Sequence, residues 1–410
     1  MVENYQTFIL ELECPILEYE YTDDNVYKIS SNKCLPLCSV GYNHNLLQSI
    51  TTFTNIISKL DKKDFIYVVN PFEINIDNYD KTLINITKHF FNNDEIYDNI
   101  FFKFWDIFNI FSLLENKQSN IAIMSAKSTG IIQAIIQYKK LYLFNNDDKI
   151  YNISDDDILL NIPPNLVKNH KSKYDITHLK TIISFNKEIE KSYKKADIII
   201  GDSGYDNENE IYRIIISEIL LALKSQALNG HFILKIYDTY TIVTIKLIYV
   251  LSSFYKNAYI YKPYYSRNNN SEKYIIFMHF KYNTIDKTVH TILQSLELLL
   301  IDTKHQNIYD IFLNINIPEE YLNIFTFINI KLANEQQILI NKIIKYIREN
   351  NYFGDKYHMY KENQIKATQW WATYFLSNDV TEIKDRMTNL LKTYALEFYK
   401  FQSLLIKNNF

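Results

Sequence analysis

An α/β fold on a mostly parallel, Rossmann-like sheet is predicted by three features of the 410-residue sequence. In the middle of the chain, apolar runs of strand length alternate with longer helical patterns, the signature of a parallel sheet with crossover helices. The last two strand-like runs are joined only by the ten-residue loop YYSRNNNSEK (264–273), which predicts an antiparallel hairpin at a sheet edge. Beyond them, residues 286–410 read as mainly helical.

NIAIMSA (120–126) predicts a first buried strand, followed by a helix over about 130–140, and LYLFN (141–145) predicts a second strand. ADIIIGD (196–202) is the third. IYRIIISEILLALKSQAL (211–228) gathers its apolar residues on one broad helical face, and Gly230 stands where a helix stop belongs. HFILKIYD (231–238), a helix over about 240–255, NAYIYKP (257–263) and KYIIFMHF (273–280) complete the set. The expected organisation is an accessory region over 1–85, a Rossmann-like domain over 86–285 and a mainly helical domain over 286–410. In the last, NEQQILINKIIKYIREN (334–350) is strongly periodic. There is no internal repeat of fixed period, and the polar patches at 145–148, 155–157 and 268–270 read as loops.

Forty-four Lys and Arg face 47 Asp and Glu, a net charge of -3, so no global basic excess is present to hold phosphate. Any RNA contact must come from a local patch. Cys14, Cys34 and Cys38 are too few and too unevenly spaced for a disulfide framework and lack partners for a zinc site, which suits a reducing compartment. His89, His170, His178 and His279 have no metal-ligand spacing either, so no metal is expected. The amino terminus lacks the features of a secretory signal, and the most apolar segments are broken by Arg213, Glu218, Lys224 and Lys246. The expectation is a soluble, non-secreted protein. Tyr (34) and Phe (25) are abundant while Gly (six) and Arg (four) are scarce, a skew that fits an A/T-rich genome. Where Gly or Arg persists, as at Gly130, Gly201, Gly204, Gly230 and Arg267, geometry or chemistry is the expected reason.

In open parallel sheets, sites lie at the carboxyl ends of the strands. Ser125, Asp202, Lys235 and the loop leading to Glu272 fall there. Lys235 sits in an otherwise apolar strand, where an amine is costly unless paired or at an exposed end, and both readings stand. If Lys103 in FFKFWDIF, Asp202, Lys235 and Glu272 converge, desolvation and a neighbouring ammonium are expected to depress a lysine's pKa while carboxylates orient it. A neutral amine of that kind acts as a base.

The series ADIIIGDSG, LLALKSQALNGHFILKIYDT and YIYKPYYSRNNNSEKYIIF resembles the FtsJ-like ribose 2′-O-methyltransferases, most of all their cap-specific mRNA branch in eukaryotes and large DNA viruses. Lys262, Pro263, Ser266, Arg267, Ser271, Glu272 and Tyr274 stand at that branch's spacing, over a matched stretch of 196–280. The resemblance implies a catalytic tetrad of Lys103, Asp202, Lys235 and Glu272, with Lys235 as the base that deprotonates the ribose 2′-hydroxyl. For Lys103, a plain surface-helix lysine is the alternative. It also implies S-adenosyl-L-methionine as cofactor, with Ser125, Ala126, Gly130, Asp175 and Asp202 as its contacts, and Ser266 and Arg267 as RNA or loop-ordering contacts. Asp175 reads equally as a helix cap ahead of Thr177.

One stretch departs from the family pattern. Where a turn of the Ala-Pro-Gly-Gly-Phe kind is expected, this chain has MSAKSTGII, with Lys127, Ser128 and Thr129 at positions of Pro and Gly. In the carboxy-terminal stretch 350–375, Tyr357, Tyr360, Trp370 and Trp371 with Lys356, Lys361 and Lys366 read either as an RNA-stacking surface or as core. Two functional readings follow. One is a cap (nucleoside-2′-O-)-methyltransferase acting on the first transcribed nucleotide of capped mRNA; the other is a non-catalytic relative retained as an RNA-binding or structural subunit of a capping or virion complex. Expected partners are capped mRNA and other capping or transcription subunits, with no membrane and no DNA-specific binding. The expected location is the cytoplasm or a virion. Ribosomal RNA is a third, weaker substrate reading, and nothing in the sequence supports methylation of the guanine base.

Overall fold

A computed structural model describes residues 7–17, 19–29, 55, 68, 72, 82–92, 94–116, 118–143, 148–156, 166–170, 175–191, 194–204, 208–267, 269–283, 286–302, 308–349, 354–377 and 380–407. The central sheet is built from β1 (Phe8–Leu12), β3 (Asn120–Met124), β4 (Lys149–Ile153), β5 (Val167–Asn169), β6 (Ala196–Gly201), β7 (Gln226–Ile236), β8 (Tyr255–Lys262) and β9 (Lys273–Phe280), while β2 (Tyr27–Ile29) pairs separately with β10 (Ile308–Ile311). The sheet order is β1-β8-β9-β7-β6-β3-β4-β5. The five strands from β7 to β5 are parallel; β9, β8 and β1 alternate antiparallel beside them. The chain runs outward from β3 to β4 and β5, then returns to β6 on the other side of β3. That reversal is the topological switch where open α/β sheets bind ligands.

Alternation along each strand fills two cores. On β3, Ile121 and Ile123 face one cluster with α2 (Ile100–Phe111) and α3 (Thr129–Tyr138), while Ala122 and Met124 face the other with α4 (Leu179–Glu190), α5 (Glu208–Ser225) and α6 (Ile242–Ser252). Near-continuous burial of β3 and β6 is what strands covered on both faces require. Outside this three-layer core lie α1 (Thr82–Phe90), α7 (Lys287–Asp302), the 30-residue α8 (Glu319–Arg348), α9 (Asp355–Phe375) and α10 (Val380–Lys407). The Rossmann-like sheet and the helical carboxy-terminal region are thus both present. No helix among the described residues is long and apolar enough to cross a membrane.

Three expectations are corrected. The second strand is not the expected 141–145: Lys139–Leu143 continue α3 as a π-helical turn, residues 144 and 145 lie outside the described residues, and the strand is β4. The reason is the buried Lys139 ammonium, which reaches Asp148 Oδ1 at 3.2 Å and Ser119 Oγ at 3.2 Å, while Tyr142 packs on Trp105 and Tyr138. Gly230 does not stop a helix either. α5 ends at Ser225, and Gly230 lies in β7, where a Cβ would fall 2.8 Å from the Asp197 carbonyl oxygen. The predicted hairpin of β8 and β9 forms, but β1 covers its outer edge, so the amino-terminal region supplies a strand of the central sheet. Cys34 and Cys38 lie outside the described residues; Cys14 is half-buried.

Candidate active site

Lys103 is set into α2 among buried neighbours: every other residue from Phe101 to Phe111 is buried, and its side chain extends to the Glu272 carboxylate. Its Nζ lies 2.6 Å and 2.8 Å from the two Glu272 oxygens. Asp202 follows β6, its N–H continuing the ladder to the Met124 carbonyl at 2.9 Å. Lys235, near the end of adjacent β7, places Nζ 3.1 Å from Asp202 Oδ1 and donates to the Asp202 carbonyl at 3.0 Å. Tyr274 stands opposite Lys235 in the β7–β9 register. Its hydroxyl lies 2.9 Å from Asp202 Oδ1 and 3.2 Å from Glu272 Oε1, joining the two ion pairs into one cluster. All four sequence-predicted residues therefore meet at the carboxyl ends of the strands. Tyr274 is a motif residue of the sequence with no site function assigned there; the signal is its two-residue spacing from Glu272, which puts both on one face of a strand.

Burial works against the Lys235 ammonium, but the carboxylates of Asp202 and Glu272 outweigh it and hold its pKa above the usual lysine range. This corrects the expectation of a depressed amine: opposite charges at contact distance prevail over desolvation. Burial likewise opposes the Glu272 carboxylate, but Lys103 and Lys235 bring its pKa down to about 2. Burial lifts the Tyr274 hydroxyl well above its ordinary value, with Asp202 and Glu272 adding to the effect, so it remains a donor.

Beneath this cluster sits Glu218 of α5, fully buried, which accepts from the Ser203 hydroxyl. Burial raises its pKa to about 8, against the pull of Ser203 and Lys235. Gly201 makes room for it, since a Cβ there would meet the Glu218 carboxyl carbon at 2.7 Å. Gly201→Ala is expected to cost roughly 1–3 kcal/mol by overpacking, read as a lower denaturation midpoint with an unchanged slope.

The loop between β8 and β9 is pinned from below. Lys262, fully buried, donates to the carbonyls of Arg267 (3.3 Å), Asn270 (3.0 Å) and Glu272 (3.1 Å). Burial lowers its pKa to about 7, with Glu272 opposing. Within the loop Arg267 is exposed, but Ser266 is fully buried. Of the two readings of Ser266, RNA contact or loop ordering, its burial and the bond from its N–H to the Pro263 carbonyl at 3.0 Å favour loop ordering. Of the carboxy-terminal aromatics, Trp371 belongs to the core, while Tyr357, Tyr360 and Trp370 are half-buried. Trp371 is fully buried and donates to Asp106 Oδ1 at 2.7 Å, and Tyr360 packs edge-on against Tyr346.

On the other side of the switch point, Ser125 directly follows β3, with its Oγ 3.2 Å from Asp202 Oδ2. Ala126 and Lys127 are exposed; Ser128 and Thr129 are buried at the start of α3. At Gly130 a Cβ would lie 3.0 Å from Phe101 N, so the missing side chain also serves the packing of α3 on α2. Asp175 is exposed beyond β5, and its carboxylate is held by the Thr177 hydroxyl at 2.7 Å and His178 Nδ1 at 2.9 Å, a local cap. Asp155, exposed just past β4, stands where Rossmann-like sheets present an acid to a ribose diol. Placing the second strand at 141–145 hid it. A nucleoside cofactor with a ribose diol and a cationic centre would fit this donor set, with Asp155 for the diol, Asp202 for positive charge and Ser125 and Ala126 lining the turn. Among the described residues no group of three or more His, Cys, Asp or Glu could hold a metal.

Comparison with known proteins gives this geometry a family. Residues 102–280 match the FtsJ-like methyltransferase family. An uncharacterized protein of Acanthamoeba polyphaga mimivirus is 26% identical over 326 residues, 79% of this chain and 78% of that protein. Cap-specific mRNA (nucleoside-2′-O-)-methyltransferase 2 of Drosophila melanogaster is 24% identical over 135 residues, and cap-specific mRNA (nucleoside-2′-O-)-methyltransferase 1 of Dictyostelium discoideum is 36% identical over 87. The matched stretches span only 19% and 12% of those two proteins. A putative class I S-adenosylmethionine-dependent methyltransferase from Listeria monocytogenes superposes loosely, with a TM-score of 0.29 and 12% identity over 62% of this chain and 98% of that one. The stretch that matches the FtsJ-like methyltransferase family, residues 102–280, carries all four members of the lysine–carboxylate cluster.

Proposed function

We propose that this chain is a cap (nucleoside-2′-O-)-methyltransferase that transfers a methyl group from S-adenosyl-L-methionine to the ribose of the first transcribed nucleotide of capped RNA. The observation that carries the reading is the joined cluster Lys103–Glu272, Tyr274, Asp202–Lys235 at the strand ends. A ribose hydroxyl is a poor nucleophile until its proton has somewhere to go, and Lys235 Nζ, as the free amine, is the group placed to take it. The cofactor, when bound, supplies a methyl group on a positively charged sulfur and leaves as a neutral thioether. Asp202 orients Nζ through two contacts, and Lys103 fixes Glu272, so the amine's approach is set before substrate arrives. Ser125, Ala126, Asp155 and Asp202, with Asp175 beyond β5, are the residues assigned to the cofactor; exposed Arg267 is assigned to RNA. The mimivirus relative, matched over 78% of its length, supports a viral origin; work in the cytoplasm or a virion, alongside other capping subunits, is part of the proposal.

The test is transfer from labelled S-adenosylmethionine to 7-methylguanosine-capped RNA, beside an RNA already 2′-O-methylated at its first nucleotide. Label is expected only on the unmethylated RNA and only with Lys235 present. No label, no cofactor binding by calorimetry and retained binding of capped RNA would overturn the reading in favour of a non-catalytic subunit.

A further inference from the structure

We propose that Asp156 is the positioning residue of the cofactor loop, a carboxylate from the second strand's end that fixes the turn after the first strand in place of a glycine-rich sequence. The inference rests on reading this end of the sheet as the cofactor site. Four donors from the turn converge on the carboxylate: Ser128 N at 3.0 Å, Ser128 Oγ at 3.1 Å, Thr129 N at 3.0 Å and Thr129 Oγ1 at 2.7 Å. The neighbouring loop is tied in as well. Ser154 Oγ contacts Asp156 and lies 3.2 Å from the Ala126 carbonyl, which also accepts from Asp155 N at 3.3 Å.

The physical reason is the bare amide groups at a helix start. α3 begins at Thr129, and its preceding residue, Ser128, gives no side-chain cap. A carboxylate 27 or 28 residues onward supplies the missing acceptor and the negative charge a helix start favours. Burial opposes the Asp156 charge, but the hydrogen bonds from Ser154, Thr129 and Ser128 outweigh it and lower its pKa. Three sequence features then have one cause. Ser128 and Thr129 are tolerated where small residues are expected, because both hydroxyls turn inward to Asp156. Lys127, just before them, is left exposed. Asp155 is left exposed at the strand end, since its neighbour turns inward. The ends of β3 and β4, the two sides of the cofactor loop, are thereby held in one register.

Hydrogen exchange and calorimetry with S-adenosylhomocysteine test this on the full chain. Asp156→Ala is expected to speed exchange of the Ser128 and Thr129 amides and to weaken affinity by roughly tenfold or more, the loss of at least one charge-assisted bond. At saturating cofactor kcat should hold, so the change falls on KM. Thr129→Val, which removes a single donor, should move the same readouts less and guards against a misfolded Asp156 variant. Faster exchange with unchanged affinity would make Asp156 a helix cap only and overturn the proposal, as would unchanged exchange. If the unmutated chain binds no S-adenosylhomocysteine, the methyltransferase reading itself falls, and this inference with it.

Discussion

Lys235→Met is expected to lower methyl transfer to capped RNA by roughly 10²–10⁴-fold, the range that positioned proton acceptors contribute, with little change in cofactor affinity. Methionine keeps the length of the stem and removes the atom assigned to take the ribose proton. The pH dependence sharpens the test. Because Asp202 and Glu272 hold Lys235 above the usual lysine range, the resting amine is protonated and the active fraction grows as pH rises. The profile of kcat/KM should therefore climb on its alkaline side rather than level off near neutrality. Glu272→Gln removes one of the two carboxylates that retain the proton, so the limb should move to lower pH. Its maximal rate should also fall, since Lys103 loses the partner at 2.6 Å that fixes its place. A Lys235→Met protein with full activity would sink the assignment of the base; an unmoved limb in Glu272→Gln would sink the electrostatic account.

The parts of the fold that could be read from sequence were those whose burial is written into a single run of residues. ADIIIGD and HFILKIYD form adjacent parallel strands, and Asp202 and Lys235 meet because each stands at the end of one. Local pattern failed where a distant partner decided the structure. Lys139–Leu143 has strand-forming residues but stays helical because Lys139 is anchored by Asp148, and β5 is too short to show a period. The electrostatics were illegible for a related reason. Whether Lys235 is depressed by burial or raised by its neighbours depends on the number and distance of carboxylates around it, which no spacing in the sequence reports. Glu218, a helix residue that interrupts an apolar run in sequence, lies under Gly201 only once β6 and α5 are packed. The turn MSAKSTG departs from the family pattern until Asp156, from another strand, closes on it.

Trp371→Ala is expected to destabilise the fold by roughly 3–5 kcal/mol, the cost of emptying a fully buried aromatic site. Trp371 of α9 packs edge-on against Phe102 and Tyr265 and donates to Asp106 Oδ1, while Trp105 of α2 donates in return to the Phe375 carbonyl at 2.8 Å. Trp371→Phe keeps most of the ring and loses only the N–H, so it should cost roughly 1–3 kcal/mol, the penalty of an unmet buried acceptor. The difference between the two variants in denaturant midpoint separates packing from the hydrogen bond. Burial raises the Asp106 pKa well above the carboxylate range despite its bonds to Trp371, Tyr264 and Tyr261, so the folded state holds its proton. A group raised on folding stabilises fully below its unfolded pKa and progressively less as pH climbs toward the folded value. Stability should accordingly decline with rising pH above the ordinary carboxylate range, and Asp106→Asn should flatten that decline. Asp106 also accepts from Tyr264 N at 3.2 Å, at the start of the loop that leads to Glu272, and lies one helical turn from Lys103. A shift of α9 is thus passed to both ends of the Lys103–Glu272 pair, so Trp371→Phe should lower kcat more than cofactor affinity. Equal losses in both would mean that α9 supports the sheet as a whole rather than this pair.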